Sequence, residues 1–348
     1  MKSNNDATAK TKENLVGLTR ADYRGAPSTL CRGCGHSSIA NQIVRALFEL
    51  NVIPEKVVKF SGIGCSSKSI TYFMERSFGF NGLHGRMPSL ATGVSFADKT
   101  IEIIGVSGDG DTASIGMGQF KHMVRRNTPM MYIVENNGVY GLTKGQYSAT
   151  VEQGIELKKH GKSRYLPVDI CMEALASQAT FVARSFAGDP QQVKELIKAA
   201  YSHHGIAVLD IISPCVTFNN TTKLHSYAWG KDHESRLHGM AYVPSYDEIT
   251  VEDFERGTIR EVKLYDESEL ILYKLEKDYD PTSRWEALHM LEDAYYNDML
   301  VTGLIYVNTK EPTLHDKYDL PDEPLNRIPS SKLRPSRETL DEINTMML

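Results

Sequence analysis

The sequence lacks the features that mark membrane, secreted and nucleic-acid-binding proteins. No apolar run approaches the ~20 residues that a membrane-spanning helix needs. Residues 1–17 are polar and have no apolar core of the kind found in a signal peptide. The formal net charge is -5, so a basic surface for nucleic acid is not expected. These absences predict a cytoplasmic protein whose main partner is neither a membrane nor a nucleic acid.

Cysteine is scarce as well. The chain holds five cysteines in 348 residues, an odd number, and a reducing compartment disfavours a disulfide framework. Metal binding is therefore the explanation to test. Hydrophobic residues (41%) and charged residues (24%) occur at the frequencies of a soluble globular protein. The chain is long enough to form one large or two modest domains.

The central feature is a GDGD motif around Asp109, followed by an ENNG motif around Asn137. Each motif comes after an apolar run, at residues 101–106 and 130–134, and a helix-length segment separates them. This order predicts one βαβ unit, whose two turns lie at the carboxyl ends of neighbouring parallel strands. Asp109 and Asn137 are then expected to face one crevice.

Hard oxygen ligands at such a crevice favour magnesium, which commonly shares its coordination shell with the phosphates of a cofactor. The glycines allow the backbone to approach those phosphates, and the helix that follows points its positive end at them. The alternative interpretation is an ordinary βαβ unit in which Asp, Gly and Asn only form turns.

The remaining elements predict an α/β fold. A helix follows the glycine-rich CRGCGH turn, with Ser37 and Ser38 available to cap it. A polar loop at residues 142–167 has the length of a functional or partner-contacting loop. Strands are predicted at residues 56–60, 181–185, 206–212 and, as an added edge strand, 301–307. Further helices are predicted at residues 169–178, 190–204 and 283–297.

Four cysteines lie in or beside turns of small residues that are expected at the ligand-binding edge, namely Cys31, Cys34, Cys65 and Cys215. Four thiolates from separate loops suit a 4Fe-4S cluster or a structural zinc ion. The spacing alone leaves cluster, zinc and unligated thiols as equal alternatives. Cys171 lies among apolar residues of a predicted helix and is expected to be a buried hydrophobic residue.

GDG followed at this interval by NN resembles the thiamine diphosphate motif, and the full set of motifs resembles the β subunit of the 2-oxoacid:ferredoxin oxidoreductases. The matching segments cover residues from about 28 to 220 and are CRGCGH, SGIGCSSK, LHGR with ATG, GDGD with IG, ENNGVYGLTKGQYSAT and SPC. The resemblance implies a three-layer α/β/α sandwich with a mostly parallel sheet, the thiamine diphosphate-binding fold.

The resemblance also implies the ligands of each cofactor. Magnesium is assigned to Asp109, Asn137 and the carbonyl of Val139. Contacts to thiamine diphosphate are assigned to Ile63, Gly64, Cys65, Ser66, His84, Gly110, Asp111, Gly141 and Leu142. The 4Fe-4S cluster is assigned to Cys31, Cys34, Cys65 and Cys215. Lys68 and Lys144, near the cofactor turns, are candidate catalytic residues for the substrate carboxylate or coenzyme A.

The implied reaction is the coenzyme A-dependent oxidative decarboxylation of a 2-oxoacid, with electrons passed through the cluster to ferredoxin. The resemblance favours 2-oxoglutarate, giving succinyl-CoA, over pyruvate or a branched 2-oxoacid. Activity is expected only with an α subunit, which carries the second cofactor-binding domain. The alternatives are a subunit of a non-redox thiamine diphosphate decarboxylase or lyase, and a zinc-stabilised binding protein without catalysis.

Three parts of the chain are predicted from the positions of these motifs. Residues 1–22 form a flexible arm, and residues 23–220 form the cofactor-binding α/β domain. Residues 221–348 form a C-terminal extension that is expected to contact another subunit.

Overall fold

The fold is taken from a computed structural model, which describes residues 12–157, 160–221, 223–247, 259–274 and 279–347. The strands are β1 (Val57–Ser61), β2 (Phe78–Asn81), β3 (Glu102–Gly108), β4 (Met130–Asn136), β5 (Val139–Tyr140), β6 (Gln146–Tyr147), β7 (Glu156–Leu157), β8 (Gly161–Lys162), β9 (Phe181–Phe186), β10 (Ile206–Ile212), β11 (Glu234–Arg236), β12 (His238–Val243), β13 (Ile259–Lys263), β14 (Glu269–Lys274) and β15 (Leu300–Val307).

The α-helices are α1 (Gly35–Glu49), α2 (Met87–Ala97), α3 (Met117–Arg125), α4 (Ile170–Ala176), α5 (Pro190–Ser202), α6 (Tyr227–His233), α7 (Arg284–Tyr296), α8 (Leu314–Lys317), α9 (Ser330–Leu333) and α10 (Arg337–Met346). A π-helix, Gly110–Ile115, precedes α3. Across the described ranges, no helix has the length and apolar character needed to span a membrane.

A mostly parallel sheet forms the middle layer of the fold. Within the described residues it has eight strands, in the order β11-β15-β9-β10-β4-β3-β1-β2. Neighbouring strands are parallel except β15 and β9, which are antiparallel. The chain runs from β1 to β2 on one side and then to β3 on the other side of β1. Such a reversal opens a crevice at the carboxyl ends of the strands, where ligands bind in open α/β sheets.

Both faces of the sheet are buried, as β4 illustrates. Met131 and Ile133 belong to the apolar core on the side of α1 and α5. Met130, Tyr132 and Val134 belong to the core on the side of α2, α3, α4 and α7. The sequence of a strand that is buried on both faces is a nearly continuous apolar run, since neither face contacts water. The predicted α/β class with a mostly parallel sheet between helical layers is confirmed.

Side-chain caps fix the starts of three predicted helices. Asp169, Asp189 and Ser283 each accept a hydrogen bond from the backbone N–H three residues further on. Such caps satisfy N–H groups that have no partner inside the helix. The observed helices α4, α5 and α7 therefore begin at or within one residue of the predicted positions.

The start of α1 differs from the prediction. α1 begins at Gly35, with Cys34 at the N-cap position and no side-chain hydrogen bond to the cap. The prediction that Ser37 or Ser38 caps this helix is wrong, because both residues lie inside its first turn. The Ser37 hydroxyl hydrogen-bonds the hydroxyl of Ser28 at 2.8 Å instead.

The C-terminal third contributes to the main sheet. β15 lies between β9 and β11, so the prediction of an edge strand at residues 301–307 is wrong, and the short β11 lies outside it. No sequence pattern indicates β11, because three residues show no clear period. β12, β14 and β13 form a separate antiparallel sheet. The predicted division of the chain at residue 220 stays a prediction.

The described part of the predicted N-terminal arm packs on the domain. The side-chain amide of Asn14 donates to the hydroxyl of Tyr23 at 2.8 Å and to the carbonyl of Phe48 at 3.1 Å. Tyr23 is fully buried and donates to the carbonyl of Val52 at 2.6 Å. Residues 1–11 of the predicted arm lie outside the described residues.

Two matched substitutions test how a helix cap stabilises the fold. Ser283→Ala removes the hydroxyl that accepts the N–H of Glu286 at the start of α7, a helix that buries Leu291. We expect the free energy of unfolding to fall by about 1 kcal/mol, measured by urea unfolding followed by circular dichroism. Ser336→Ala removes the cap of α10, which has no buried residues, and should leave that free energy unchanged. An equal loss of unfolding free energy in both variants would contradict the idea that a cap stabilises the fold only where its helix packs on the core.

Candidate functional site

A cavity of about 80 Å³ lies at the carboxyl ends of β1, β3 and β4. Besides Gly108, Tyr140 and Thr143, it is lined by every residue predicted to contact thiamine diphosphate or magnesium. These residues are Ile63, Gly64, Cys65, Ser66, His84, Asp109, Gly110, Asp111, Asn137, Val139, Gly141 and Leu142. Four segments that are distant in sequence meet here because parallel strands end at the same edge of the sheet.

Asp109 follows β3 directly and is buried. Its Oδ1 accepts the N–H of Asn137 at 3.1 Å, and its Oδ2 accepts the hydroxyl of Thr150 at 2.7 Å. Both donors are neutral, and no Lys, Arg or His in the described ranges forms an ion pair with this carboxylate. Buried charges are normally paired or bound to a metal. The position of Asp109 therefore fits a cation.

Asn137 is held on three sides. Its Oδ1 accepts the N–H of Val139 at 3.0 Å, and its Nδ2 hydrogen-bonds Nε2 of His36 at 3.2 Å. Its main-chain carbonyl accepts Nδ2 of Asn219 at 3.2 Å. These contacts fix the side-chain amide and put its oxygen beside the residue whose carbonyl is the third predicted magnesium ligand.

Asp111 joins the separate glycine turns of the cavity wall. Its Oδ1 accepts the N–H of Gly85 at 2.7 Å and that of Ile63 at 3.3 Å, and it also accepts Nδ1 of His84. Its Oδ2 accepts the hydroxyl of Ser107 at 2.7 Å. With these donors around it, the Asp111 carboxylate acts as a scaffold for the turns. Its predicted contact with thiamine diphosphate stays a prediction.

Gly141 lines the cavity and lies close to two cysteine sulfurs. A Cβ atom at Gly141 would lie 3.3 Å from Sγ of Cys65 and 3.9 Å from Sγ of Cys215. Burial, helped by the nearby Cys215 and Cys65, raises the pKa of the Cys34 thiol to about 12. Three of the four predicted cluster ligands therefore share one region beside the cavity.

Cys31, the fourth predicted ligand, is exposed and accepts the hydroxyl of Thr217 at 3.5 Å. It is close enough to Cys65 to raise the pKa of that thiol, although burial is the larger cause. In the part of the chain that the structure describes, no three His, Cys, Asp or Glu residues form a group for a metal ion. The donor set of four thiols nevertheless has the chemistry of a 4Fe-4S site, which is bound by four cysteine thiolates.

Cys171 lies apart from these thiols, as predicted. It is a fully buried residue of α4, and its thiol donates a weak hydrogen bond to the carbonyl of Ala183 at 3.9 Å. Burial raises its pKa well above the usual value of a thiol. It therefore behaves as a small apolar core residue.

The two candidate catalytic lysines do not line the cavity. Lys68 lies in a short 3-10 helix, Ser66–Thr71, close enough to Cys65 to lower the pKa of that thiol against the effect of burial. Lys144 is exposed, with a positive φ of 78°. Their proposed roles with substrate or coenzyme A stay predictions.

The long loop after Lys144 folds back toward the cavity and contacts Asp109 through Thr150. Thr150 donates from Oγ1 to Asp109 and lies 3.0 Å from Oδ1 of Asn136. Asn136 is fixed in turn by Nε2 of His225 at 3.0 Å. Sequence reasoning quoted Thr150 within a motif but gave it no role, since its partner lies 41 residues away.

His225 is a further residue that sequence reasoning missed. It is fully buried, and its Nδ1 lies 2.9 Å from Oε2 of Glu152. Burial opposes its protonation, but the carboxylates of Glu152, Asp109 and Asp210 together outweigh burial and raise the pKa of His225. The ion pair lies beside Asn136, since Nε2 of His225 hydrogen-bonds Oδ1 of Asn136. No motif around His225 signals this role.

Two family models match the chain. Residues 62–211 match the thiamine pyrophosphate enzyme C-terminal TPP binding domain, and residues 258–321 match the C-terminal part of the pyruvate ferredoxin oxidoreductase beta subunit. The first match spans the strands and turns that build the cavity. The chain thus contains a thiamine diphosphate-binding domain.

Several proteins are similar to this chain in sequence. The 2-oxoacid:ferredoxin oxidoreductase subunit beta of Saccharolobus solfataricus is 41% identical over 221 residues, which are 63% of this chain and 70% of that protein. The 2-oxoglutarate oxidoreductase subunit KorB of Mycobacterium tuberculosis is 40% identical over 194 residues, 55% of this chain and 51% of that protein.

A solved structure is similar over most of the chain. It is a 2-oxoglutarate:ferredoxin oxidoreductase from Magnetococcus marinus with 2-oxoglutarate, coenzyme A and succinyl-CoA bound. It is 31% identical, covers 87% of this chain and 89% of its own, and has a TM-score of 0.71. Motifs, fold and cavity agree with these similarities, and the chain belongs to the β subunits of the 2-oxoacid:ferredoxin oxidoreductases.

Proposed function

We propose that this chain is the β subunit of a 2-oxoglutarate:ferredoxin oxidoreductase. The reaction is the oxidative decarboxylation of 2-oxoglutarate with coenzyme A, giving succinyl-CoA and carbon dioxide, with the electrons delivered to ferredoxin. Relatives named for 2-oxoglutarate support this choice of substrate. The observation that carries the proposal is the position of Gly141, which lines the cavity and lies against the thiols of Cys65 and Cys215.

The cavity residues divide into two groups by chemistry. Asp109, Asn137 and the carbonyl of Val139 provide the oxygen donors that magnesium prefers. The turn containing Gly64 and Ser66 offers backbone N–H groups and a hydroxyl to phosphate oxygens, as glycine-rich turns commonly do. Bound together, magnesium and these donors would neutralise the diphosphate.

Thiamine diphosphate supplies, when bound, the electron sink for decarboxylation, and a 4Fe-4S cluster supplies an acceptor of single electrons. Cys31, Cys34, Cys65 and Cys215 would hold the cluster. Cys65 serves both sites, since it lines the cavity and carries one of the thiols. Through Cys65, the sites proposed for thiamine diphosphate and for the cluster are direct neighbours.

An α subunit is the required partner in this proposal. It would cover the open side of the cavity and contribute the groups that select the far carboxylate of the substrate. Ferredoxin would then dock near the exposed Cys31 side of the cluster loops. Lys68, beside Cys65, is placed to meet an anionic substrate or coenzyme A.

The magnesium site is tested by removing its carboxylate. Asp109→Ala is expected to abolish retention of thiamine diphosphate, because the diphosphate then lacks its bridging cation, while iron content is unchanged. Bound cofactor is measured by extraction and chromatography, and iron by a colorimetric assay. The exposed Asp232→Ala is the control and should retain both groups. Loss of iron with retained cofactor would overturn this map of the site.

The cluster ligands are tested by substituting single thiols. Cys215→Ser is expected to remove the broad visible absorption and most of the iron of anaerobically purified protein. Cys171→Ser, in the apolar core, is expected to leave both unchanged. A colourless wild-type protein that contains zinc would contradict the proposal and favour a zinc-stabilised binding protein. Thiamine diphosphate retained without any iron would favour a non-redox decarboxylase or lyase subunit.

The substrate is tested on the reconstituted enzyme. Co-expressed α and β subunits are assayed for reduction of ferredoxin with 2-oxoglutarate, pyruvate and branched 2-oxoacids, each with and without coenzyme A. We expect the highest kcat/KM with 2-oxoglutarate, strict dependence on coenzyme A, and no turnover by the β subunit alone. A higher kcat/KM with pyruvate would refute the assigned substrate but leave the cofactor sites standing.

A further inference from the structure

His36 connects the cysteine loops to the magnesium turn. It is the second residue of α1, directly after the CRGC turn, and is almost fully buried. Its Nε2 lies 3.2 Å from Nδ2 of Asn137, and its Nδ1 lies 3.1 Å from the hydroxyl of Ser213. Ser213 directly precedes Pro214 and Cys215, so one imidazole contacts three motifs that are far apart in sequence.

The packing around α1 leaves little room for this side chain to move. A Cβ at Gly35 would collide with the hydroxyls of Tyr227 and Ser213. The glycine therefore lets the start of the helix approach β10 closely enough for His36 to reach both neighbours. This gives a physical reason for the Gly-His pair that follows Cys34.

Hydrogen-bond donors and acceptors determine the tautomer of His36. The Asn137 amide nitrogen is a donor only, so Nε2 of His36 must be the acceptor. Nδ1 then carries the proton and donates to the Ser213 hydroxyl. Oε2 of Glu135, 3.7 Å from Nδ1, adds a second oxygen on that side and favours the same tautomer.

Reversing the Asn137 amide would break contacts at both of its ends. Its nitrogen would then face the N–H of Val139, so that two donors would meet. Its oxygen would face the lone pair of Nε2 of His36. Since magnesium binds oxygen and not a protonated amide nitrogen, the orientation of this amide decides whether Asn137 is a ligand at all.

We propose that His36 is a positioning residue, which holds the Asn137 side chain so that its oxygen, and not its nitrogen, is presented to magnesium. The inference rests on the proposed function, because it names the device that orients one of the proposed ligands. Outer partners of metal ligands act in this way, and their loss typically weakens metal affinity about 10–100-fold.

Two substitutions separate the two contacts of the imidazole. In His36→Asn, the new amide lies near the position of Nδ1, so it can still donate to Ser213. The acceptor at Nε2, which contacts Asn137, is lost. Gln reaches one bond further, so it restores an acceptor near Nε2 and loses the donor at Nδ1. His36→Asn should therefore disturb Asn137, whereas His36→Gln should preserve it.

The experiment uses the co-expressed αβ complex after removal of thiamine diphosphate and magnesium. Magnesium is titrated calorimetrically at a fixed, saturating concentration of thiamine diphosphate, and cluster absorbance is recorded on the same samples. We expect His36→Asn to weaken magnesium binding about 10–100-fold with unchanged cluster absorbance. His36→Gln is expected to bind magnesium close to the wild-type affinity.

The outcomes distinguish the inference from the proposed function. Failure of the wild-type complex to bind magnesium with thiamine diphosphate would overturn the proposed function. The role of His36 would be overturned if His36→Asn bound magnesium as tightly as the wild type does. It would also be overturned if His36→Asn and His36→Gln lost the same amount of magnesium affinity. If thermal unfolding shows that His36→Asn is not folded, His36→Met replaces it, since the flexible thioether fills similar space. The same loss of affinity is then expected.

Discussion

The site depends on one hydrogen bond between two turns, in which the N–H of Asn137 donates to Oδ1 of Asp109 at 3.1 Å. The bond exists because β3 and β4 are parallel neighbours with Gly108 opposite Glu135. Their turns therefore begin at the same level of the sheet. A shift of one residue would send every side chain of the strand to the opposite face. The apolar cores on both faces resist such a shift. The register of β3 and β4 therefore determines both the packing of the core and the geometry of the predicted ligands.

Among the described residues, two other buried carboxylates are paired with a basic side chain, whereas Asp109 forms no ion pair. Asp210 pairs with Arg184 at 3.0 Å, and Glu152 pairs with His225 at 2.9 Å. Burial raises the pKa of Glu135 well above the usual value of a carboxyl, which favours its neutral form. Asp109 receives only neutral donors from the described residues. A carboxylate held in this way loses water without gaining a direct ion pair, and a bound cation would recover that cost.

Local patterns in the sequence predict β3, β4 and the crevice at their ends, whereas the remaining lining of the cavity is implied by the family resemblance. Apolar runs that end in glycine or amide turns identify β3 and β4, and the parallel topology then brings their turns together. Contacts between distant side chains have no such local signal. His36 meets Asn137 across 101 residues and Thr150 meets Asp109 across 41, and only the folded chain selects these partners. β15 was misplaced as an edge strand for the same reason, since its outer neighbour β11 is too short to show a period.

Exposed apolar residues at the edge of the cavity link cofactor binding to assembly with an α subunit. Ile63 and Leu142 both line the cavity, yet they are 41% and 50% exposed. Exposed apolar side chains beside a binding cavity mark a surface that another molecule covers, and a β subunit implies an α subunit. Covering this rim would exclude water from Asp109, and charges attract more strongly where the dielectric constant is lower. Assembly would thereby strengthen the attraction between this carboxylate and magnesium, so the partner would complete the electrostatics of the site as well as its shape.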